Sequence, residues 1–258
     1  MDGEDVRGRT VIRIGGGDRV AFLQGLVTND VRRLSEGAVY AALLTPQGKY
    51  LADFFLYPAP DAVLLDVASG LADGLVKRLA LYRLRADVQI EPTALHVRRG
   101  LGPAPEGAFA DPRHPALGWR ATGAAPGAAP GAAPGGPPST DWDALRVRHL
   151  IPETLIELRP DETYILEAGF ERLSGVDFRK GCYVGQEVTA RMKHKTDLRK
   201  GLVRVAVSGP ADPGTPILSD GREVGVLFTR SADEAIAHLR LDRAGGRLTA
   251  GAAEVHPL

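Results

Sequence analysis

Only one cysteine, Cys182, stands in the whole chain. An internal disulfide and a self-contained cysteine-rich metal site are therefore excluded. Neither sign of charge is in surplus: Lys+Arg and Asp+Glu both count 32, so no global field draws the chain to nucleic acid or anionic lipid. A polyanion site would have to be a local patch. No apolar run approaches the roughly 18 residues of a membrane-spanning helix. The opening MDGEDVRGRT lacks the apolar stretch of a secretory signal. These absences predict a cytoplasmic protein with no membrane partner. What is present is ordinary for a globular chain: 258 residues, 44% hydrophobic and 25% charged, enough for one large domain or two to three smaller ones.

Hydrophobic spacing predicts an α+β fold. Residues 11–14 (VIRI) read as a short strand and Gly15-Gly16-Gly17 as a turn. Asp18 is placed to cap a helix running through DRVAFLQGLVTNDV, with Phe22, Leu23, Leu26 and Val27 on one face. A strand at 38–44 follows. YLADFFLYP and AVLLDV predict paired strands around Pro58-Ala59-Pro60-Asp61. Ser69 is placed to cap a helix carrying Leu71, Leu75 and Leu79, and LYRLRADVQIEP reads as a returning strand. Strands packed on a helix face make this an α+β block. From Gly201 the runs shorten to GLVRVAV, TPILSD, GREVGVLFTR and EAIAHLRLD, with Asp220-Gly221 as a hairpin turn. About five short strands in so short a span predict a small barrel or sandwich.

The segment FRKGCYVGQEVTAR, residues 178–191, holds the cysteine. Arg179, Lys180 and Arg191 surround Cys182. VGQEVTARMKH has helical character, with Val188 and Met192 four apart, which sets Cys182 just before a helix N-terminus. That helix end and Lys180 both favour thiolate over thiol. Gly181 and Gly185 permit a tight turn or the close approach of a ligand. The competing reading is a buried, inert cysteine in the turn ahead of a helix, and the residues alone leave both open. A Cys-His-Asp hydrolase using His149 or His194 finds no support in spacing.

KGCYVGQE followed by Ala190-Arg191 closely resembles the signature of the YgfZ family of folate-binding proteins, relatives of mitochondrial iron–sulfur assembly factors. FLQGLVTNDV, TPQGKYLADFFLY, LYRLRADV, DPRHPALGWR and Leu150-Ile151-Pro152-Glu153 resemble further family blocks in the family's order. The resemblance implies the fold shared with the T-protein of the glycine cleavage system: several domains around a central folate site, ending in a β-barrel. Mapped here, it gives a discontinuous folate-binding core of residues 1–45 and 95–197, a β-β-α-β subdomain of 46–94 and a barrel of 198–258. It also implies tetrahydrofolate, or a derivative, as cofactor and support of iron–sulfur enzymes, including tRNA-modifying ones.

The resemblance assigns site residues as well. Trp142 matches a family tryptophan lying against folate, the alternative being a core residue at a helix start. Gln24, Thr28, Asn29 and Asp30 match a polar block, the alternative being helix C-capping and turn formation. Asp53, Glu167, Gly181, Gly185, Gln186, Glu187 and Arg191 complete the folate set, the alternative for Asp53 being a polar strand residue. Cys182, Lys180 and Tyr183 form the reactive centre, with Cys182 a shared ligand of a partner's iron–sulfur cluster. The chain departs from the family at Arg9, near a second tryptophan of some members, and at Gly169, where members often carry Asn.

The T-protein relatives carry an Asp-Asp pair where this chain has Ala52-Asp53. General acid–base help is worth about 10²–10⁴ in rate, so the missing carboxylate argues against the same aminomethyl transfer. Three functions stay in play. One is a folate-dependent one-carbon transferase or demethylase using Cys182 as nucleophile. A second is a tRNA-binding adaptor on the basic run Arg191 to Lys200. The favoured one is a non-catalytic folate-binding accessory factor whose thiolate meets the cluster of a carrier or client protein.

Residues 123–138 read GAAPGAAPGAAPGGPP, with no large apolar side chain to offset the entropy of ordering, which predicts a mobile surface loop. Replacing them with a short Gly-Ser linker is expected to leave the melting temperature almost unchanged, because loop-closure entropy varies slowly with length. A large drop in a thermal melt would show that the repeat is docked.

Overall fold

The computed structural model describes residues 3–124, 140–195 and 198–258. Residues 125–138 of the Gly/Ala/Pro repeat lie outside the described residues. The chain forms two compact units: one of Met1–Gln47, Leu51–Ser139 and Glu171–Gln186, the other of Gly48–Tyr50, Thr140–Phe170 and Glu187–Leu258.

The first unit runs β1 (Glu4–Asp5), β2 (Arg9–Gly15), α1 (Arg19–Gln24), a 3-10 turn (Val31–Ser35), β3 (Val39–Leu44), β4 (Tyr50–Ala59), β5 (Ala62–Ala68) and α2 (Ser69–Arg83). It continues through β6 (Gln89–Pro92), β7 (His96–Gly100), β8 (Phe109–Ala110) and β9 (Trp119–Gly123). Two sheets result, ordered β3-β4-β5-β2-β6 and β1-β7-β9-β8. Strand alternation gives the larger sheet two unlike faces. Ile12, Ile14, Phe54, Leu56, Leu65 and Val67 pack with Leu23, Leu75 and Leu79 of the helices in an aliphatic core. The opposite face carries Arg9, Tyr40, Asp53, Phe55, Tyr57 and Asp66, and the smaller sheet meets it there: Arg120 of β9 donates to Asp66 Oδ2 at 2.8 Å and to the Tyr57 hydroxyl at 3.0 Å.

That second layer is a buried charge cluster. Asp66 is held by Arg9 Nε at 2.5 Å as well as by Arg120, and Asp111 pairs with Arg113 at 2.8 Å. The Arg120 guanidinium lies 4.0 Å from the Phe55 ring centre and that of Arg113 4.8 Å. Burial alone would raise the Asp66 carboxyl; Arg9 and Arg120 overcome it and hold it below the usual carboxylate range. Asp111 follows the same pattern, burial outweighed by Arg113. Burial pushes the Tyr57 phenol up.

Four local expectations are corrected. The helix from Asp18 ends at Gln24, because Val27 bridges to Leu43 and the side chains of Gln24, Thr28 and Asn29 take backbone partners of their own. Asp18 does not cap it; its carboxylate accepts from Asp87 N at 2.8 Å while Asp87 accepts from Gly17 N at 2.7 Å. Ser69 does not cap α2 either, its hydroxyl lying 2.8 Å from that of Thr10. The segment LYRLRADVQIEP stays helical to Arg83 and extends only from Gln89, the turn between them passing through Leu84 at φ 44°.

The second unit holds α3 (Trp142–His149), α4 (Gln186–Lys195, whose first residue belongs to the other unit) and the strands β10 (Lys200–Ser208), β11 (Pro216–Ser219), β12 (Arg222–Ser231), β13 (Glu234–Arg240), β14 (Leu248–Ala250) and β15 (Ala253–Pro257). These strands close a barrel in the order β10-β13-β12-β11-β14-β15, with Val207 of β10 opposite Val255 of β15. Val205, Ile217, Leu227, Ala237 and Leu248 fill its interior. The fold is thus the mixed α/β architecture with the small C-terminal barrel that the sequence implies. Asp220 (φ 48°) and Gly221 (φ 79°) make the β11–β12 turn, both in the left-handed region that this hairpin type requires.

Removing one partner of a buried ion pair costs about 3–5 kcal/mol, because the other charge stays buried. Arg120→Met is expected to lose stability in that range in urea unfolding at neutral pH. Asp66 and Asp111 have depressed folded values, so their contribution is complete above the unfolded value of about 3.9 and is lost as pH falls below it. The gap between wild type and variant should therefore narrow in acid. A gap under about 1 kcal/mol at neutral pH, the range of an exposed pair, would show the cluster to be solvated.

Candidate functional site

Residues 171–185 contain no helix or strand, so their backbone groups need partners from elsewhere. The stretch 28–30 supplies them. Thr28 Oγ1 donates to Gly175 O at 2.7 Å and accepts from Ala42 N at 2.8 Å, and Thr28 O accepts from Asp177 N at 3.0 Å. Asn29 Nδ2 donates to Ser174 O at 2.6 Å and to Tyr40 O at 2.8 Å, while its Oδ1 accepts from Asp30 N. Two adjacent side chains thus rivet this loop to β3.

Gln24 and Lys180 close the arrangement reciprocally. Gln24 Nε2 donates to Lys180 O at 3.1 Å, and Lys180 Nζ donates to Gln24 O at 2.5 Å. Gln24 Oε1 accepts from Val31 N at 2.8 Å. The Lys180 ammonium lies 5.1 Å from the Tyr183 ring centre, and both side chains are buried. Beyond this clasp the chain turns at Gly181 (φ 100°) and Gly185 (φ 81°), conformations that a Cβ would strain. Cys182, between them, is exposed as a free thiol. The buried, inert cysteine is thereby excluded. Gln186 opens α4, its N–H donating to Tyr183 O at 3.2 Å.

Asp30 is engaged by Arg32 at 2.6 Å, which holds its carboxyl down at about 2. Asp53 is buried and accepts from the Tyr40 hydroxyl at 3.0 Å. Arg9 lies over the Phe55 ring as well as on Asp66. The remaining residues assigned from sequence belong to the second unit. Trp142 is buried as the first residue of α3, behind the Asp141 cap on Ala144 N. Glu167 faces His238 at 3.6 Å. Glu187 and Arg191 pair with each other at 3.0 Å on the exposed side of α4. Sequence reading missed Tyr40 as the partner of Asp53, and the cluster of Asp66, Arg113 and Arg120. The signal available was Asp66 itself, a lone carboxylate inside AVLLDV that strand alternation sets on the same face as Phe55 and Tyr57.

Among the described residues no three or more His, Cys, Asp or Glu side chains converge as a metal site, and no helix is long and apolar enough to cross a membrane. Asp53 and Tyr40 form a buried carboxylate–phenol pair on the polar face of the sheet. Gln24, Thr28 and Asn29 act on backbone groups, so their part in the site is to hold the Cys182 loop in place.

Desolvation lowers Lys180 from its ordinary 10.5 to about 8. A lysine whose folded value is depressed costs stability while charged in the fold, and that cost is relieved as pH rises from about 8 towards 10.5. Relative to Lys180→Met, the wild type should gain on the order of 1 kcal/mol between those limits in denaturant titrations. A difference independent of pH would show that the ammonium is fully solvated.

The fold has recognisable counterparts. Residues 199–258 match the family model described as CAF17, C-terminal beta-barrel domain. The crystal structure of the glycine cleavage system aminomethyltransferase T from Bartonella henselae superposes with a TM-score of 0.74, covering 98% of this chain and 83% of that one at 13% identity, which shows a shared fold. The human protein named iron-sulfur cluster assembly factor IBA57, mitochondrial, is 34% identical across 96% of this chain and 80% of its own length. Its mouse counterpart is 31% identical across 93% and 78%. Identity at this level along nearly the whole chain, on the aminomethyltransferase fold and ending in the CAF17-type barrel, places the chain in the IBA57 family of iron–sulfur cluster assembly factors.

Proposed function

We propose that this protein is a tetrahydrofolate-binding accessory factor for the assembly or maintenance of iron–sulfur enzymes, tRNA-modifying ones among them. We further propose that it acts as members of the related YgfZ family do, on the KGCYVGQE signature. The observation that carries the reading is the presentation of Cys182: an exposed thiol on a turn between two left-handed glycines, anchored from beneath by the Gln24–Lys180 clasp. A fixed, accessible thiol suits transient ligation of an iron–sulfur cluster carried by another protein, since thiolates are the natural ligands of such clusters and one cannot hold a cluster alone. Carrier or client proteins are therefore the partners. A free exposed thiol also calls for a reducing compartment, for which we propose the cytoplasm; the human and mouse relatives are named mitochondrial.

Tetrahydrofolate supplies a one-carbon carrier when bound. The resemblance assigns Asp53 and Trp142 to the folate contact, Trp142 as an aromatic wall. The role is binding rather than turnover, because Ala52 stands where the aminomethyltransferases have a second carboxylate.

The test is genetic rescue. In cells lacking the protein, Cys182→Ser is expected to fold and to keep its tetrahydrofolate titration, yet to leave iron–sulfur enzyme activity at the level of the null strain. Serine is nearly isosteric, but its hydroxyl is a poor iron ligand near neutral pH. Trp142→Ala should weaken folate binding in calorimetry by roughly 0.5–1.5 kcal/mol beyond the lost area. Full rescue by the serine variant would refute the thiol's role, and no saturable folate binding at millimolar concentration would remove the cofactor.

A further inference from the structure

The barrel has an outer wall that is apolar where solvent would ordinarily meet polar side chains. Strand alternation turns Val205, Leu227 and Ala237 inward, so their neighbours point out. Across β10, β13 and β12 the registers Leu202↔His238 and Val226↔His238 set Leu202, His238 and Val226 in one transverse row. Phe228 follows on β12. This row and the irregular segment 157–168 enclose a cavity of about 220 Å³, lined also by Tyr164 and Ala168. All of it lies within the second unit. The volume is below the ~300 Å³ of usual ligand pockets, which restricts an occupant to a small molecule.

Charge decides the sign of that occupant. Lys49, Arg159 and Lys200 line the cavity, as do Glu157, Glu162 and Glu167. Glu157 is buried and bonded: Arg146 Nη1, from a guanidinium it shares with Asp143 and Glu153, reaches it at 3.2 Å, Thr229 Oγ1 at 2.5 Å and Glu153 N at 2.8 Å. Lys49 is seated with its Nζ 3.6 Å from the Tyr164 ring centre and bonded to Glu162 O at 2.8 Å. Arg159 stacks over Phe228 at 5.1 Å. Both Arg159 and Lys200 are exposed, and among the described residues neither has a carboxylate partner. With Glu157 bonded to its own partners, Lys49, Arg159 and Lys200 face the two remaining carboxylates, Glu162 and Glu167, across the apolar row.

We propose that this cavity is a binding site for a small monoanion with a flat apolar body, an aryl carboxylate, whose carboxylate meets Arg159 and Lys200 while its ring lies on Leu202, Val226 and Phe228. Bidentate pairing with a guanidinium suits a carboxylate, and the aliphatic row excludes water from one face of the ring. The site is independent of the Cys182 loop and shares only Glu167 with the residues assigned to folate from sequence.

Benzoate and inorganic phosphate are the probes, titrated calorimetrically into the full-length protein. Benzoate is expected to bind saturably in the millimolar range and more tightly than phosphate. The Arg159→Gln/Lys200→Gln double variant, altered only at exposed positions, should bind benzoate about tenfold more weakly. It should keep the wild-type melting temperature, the wild-type tetrahydrofolate titration and full rescue of iron–sulfur enzyme activity, so the site's failure is separable from failure of the assembly role. Val226→Phe, which fills the cavity, should abolish benzoate binding. Absence of saturation, equal binding by the double variant, or phosphate binding as tightly as benzoate would each overturn the proposal.

Discussion

The loop that carries Cys182 depends on two short side chains. Thr28 and Asn29 satisfy backbone carbonyls of Gly175 and Ser174, residues 147 and 145 positions away in sequence. A loop without regular structure can be held in one conformation only if its polar groups have fixed partners, since leaving them buried and unmet costs about 1–3 kcal/mol each. The rivet sits on β3, and β3 is the edge of a sheet whose other face is filled by the aliphatic core. Rigidity therefore passes from the core to β3, from β3 to the 174–177 loop, and from there through the Gln24–Lys180 clasp to the turn bearing Cys182.

The opposite face of that sheet shows a different solution to burial. Aromatic rings and three arginines replace aliphatic packing, with Asp66 and Asp111 as counter-charges. Guanidinium groups are weakly hydrated for cations and stack on rings, so they tolerate this layer better than lysine would. Arg9 serves both parts of this layer, completing the pairing of Asp66 and covering the Phe55 ring.

Much of this was legible in the sequence where local periodicity and tertiary demand agree. The strand pair on either side of Pro60-Asp61, the α4 helix, the Asp220-Gly221 hairpin and the barrel all follow from spacing and turn chemistry alone. Reading failed where a polar side chain had a distant partner. The apolar face of Phe22, Leu23, Leu26 and Val27 predicts a long helix, yet Thr28 and Asn29 bond to a segment near residue 175, and the chain leaves the helix to let them. Asp18 and Ser69 have the right chemistry for caps, but Asp87 and Thr10, remote in sequence, offer competing partners. Of the candidate site, the glycine-flanked thiol was readable from its signature. The clasp beneath it was not, because reciprocal bonds between residues 24 and 180 leave no mark in either segment taken alone.

That clasp bears on the chemistry of the thiol by placement. Lys180 is adjacent but one to Cys182, yet its ammonium points back to Gln24 O and the Tyr183 ring, into the protein. A lysine held this way fixes the turn without covering the sulfur, leaving the outward face open to another molecule. Were the ammonium folded over the thiol, it would compete with an incoming iron centre for the same lone pairs. The geometry thus separates anchoring, done from below by a buried charge and an amide, from presentation, done by two glycines that let the chain double back. A nucleophile in an enzyme of this fold would need its base on the open side; a ligand offered to a partner's cluster needs that side clear.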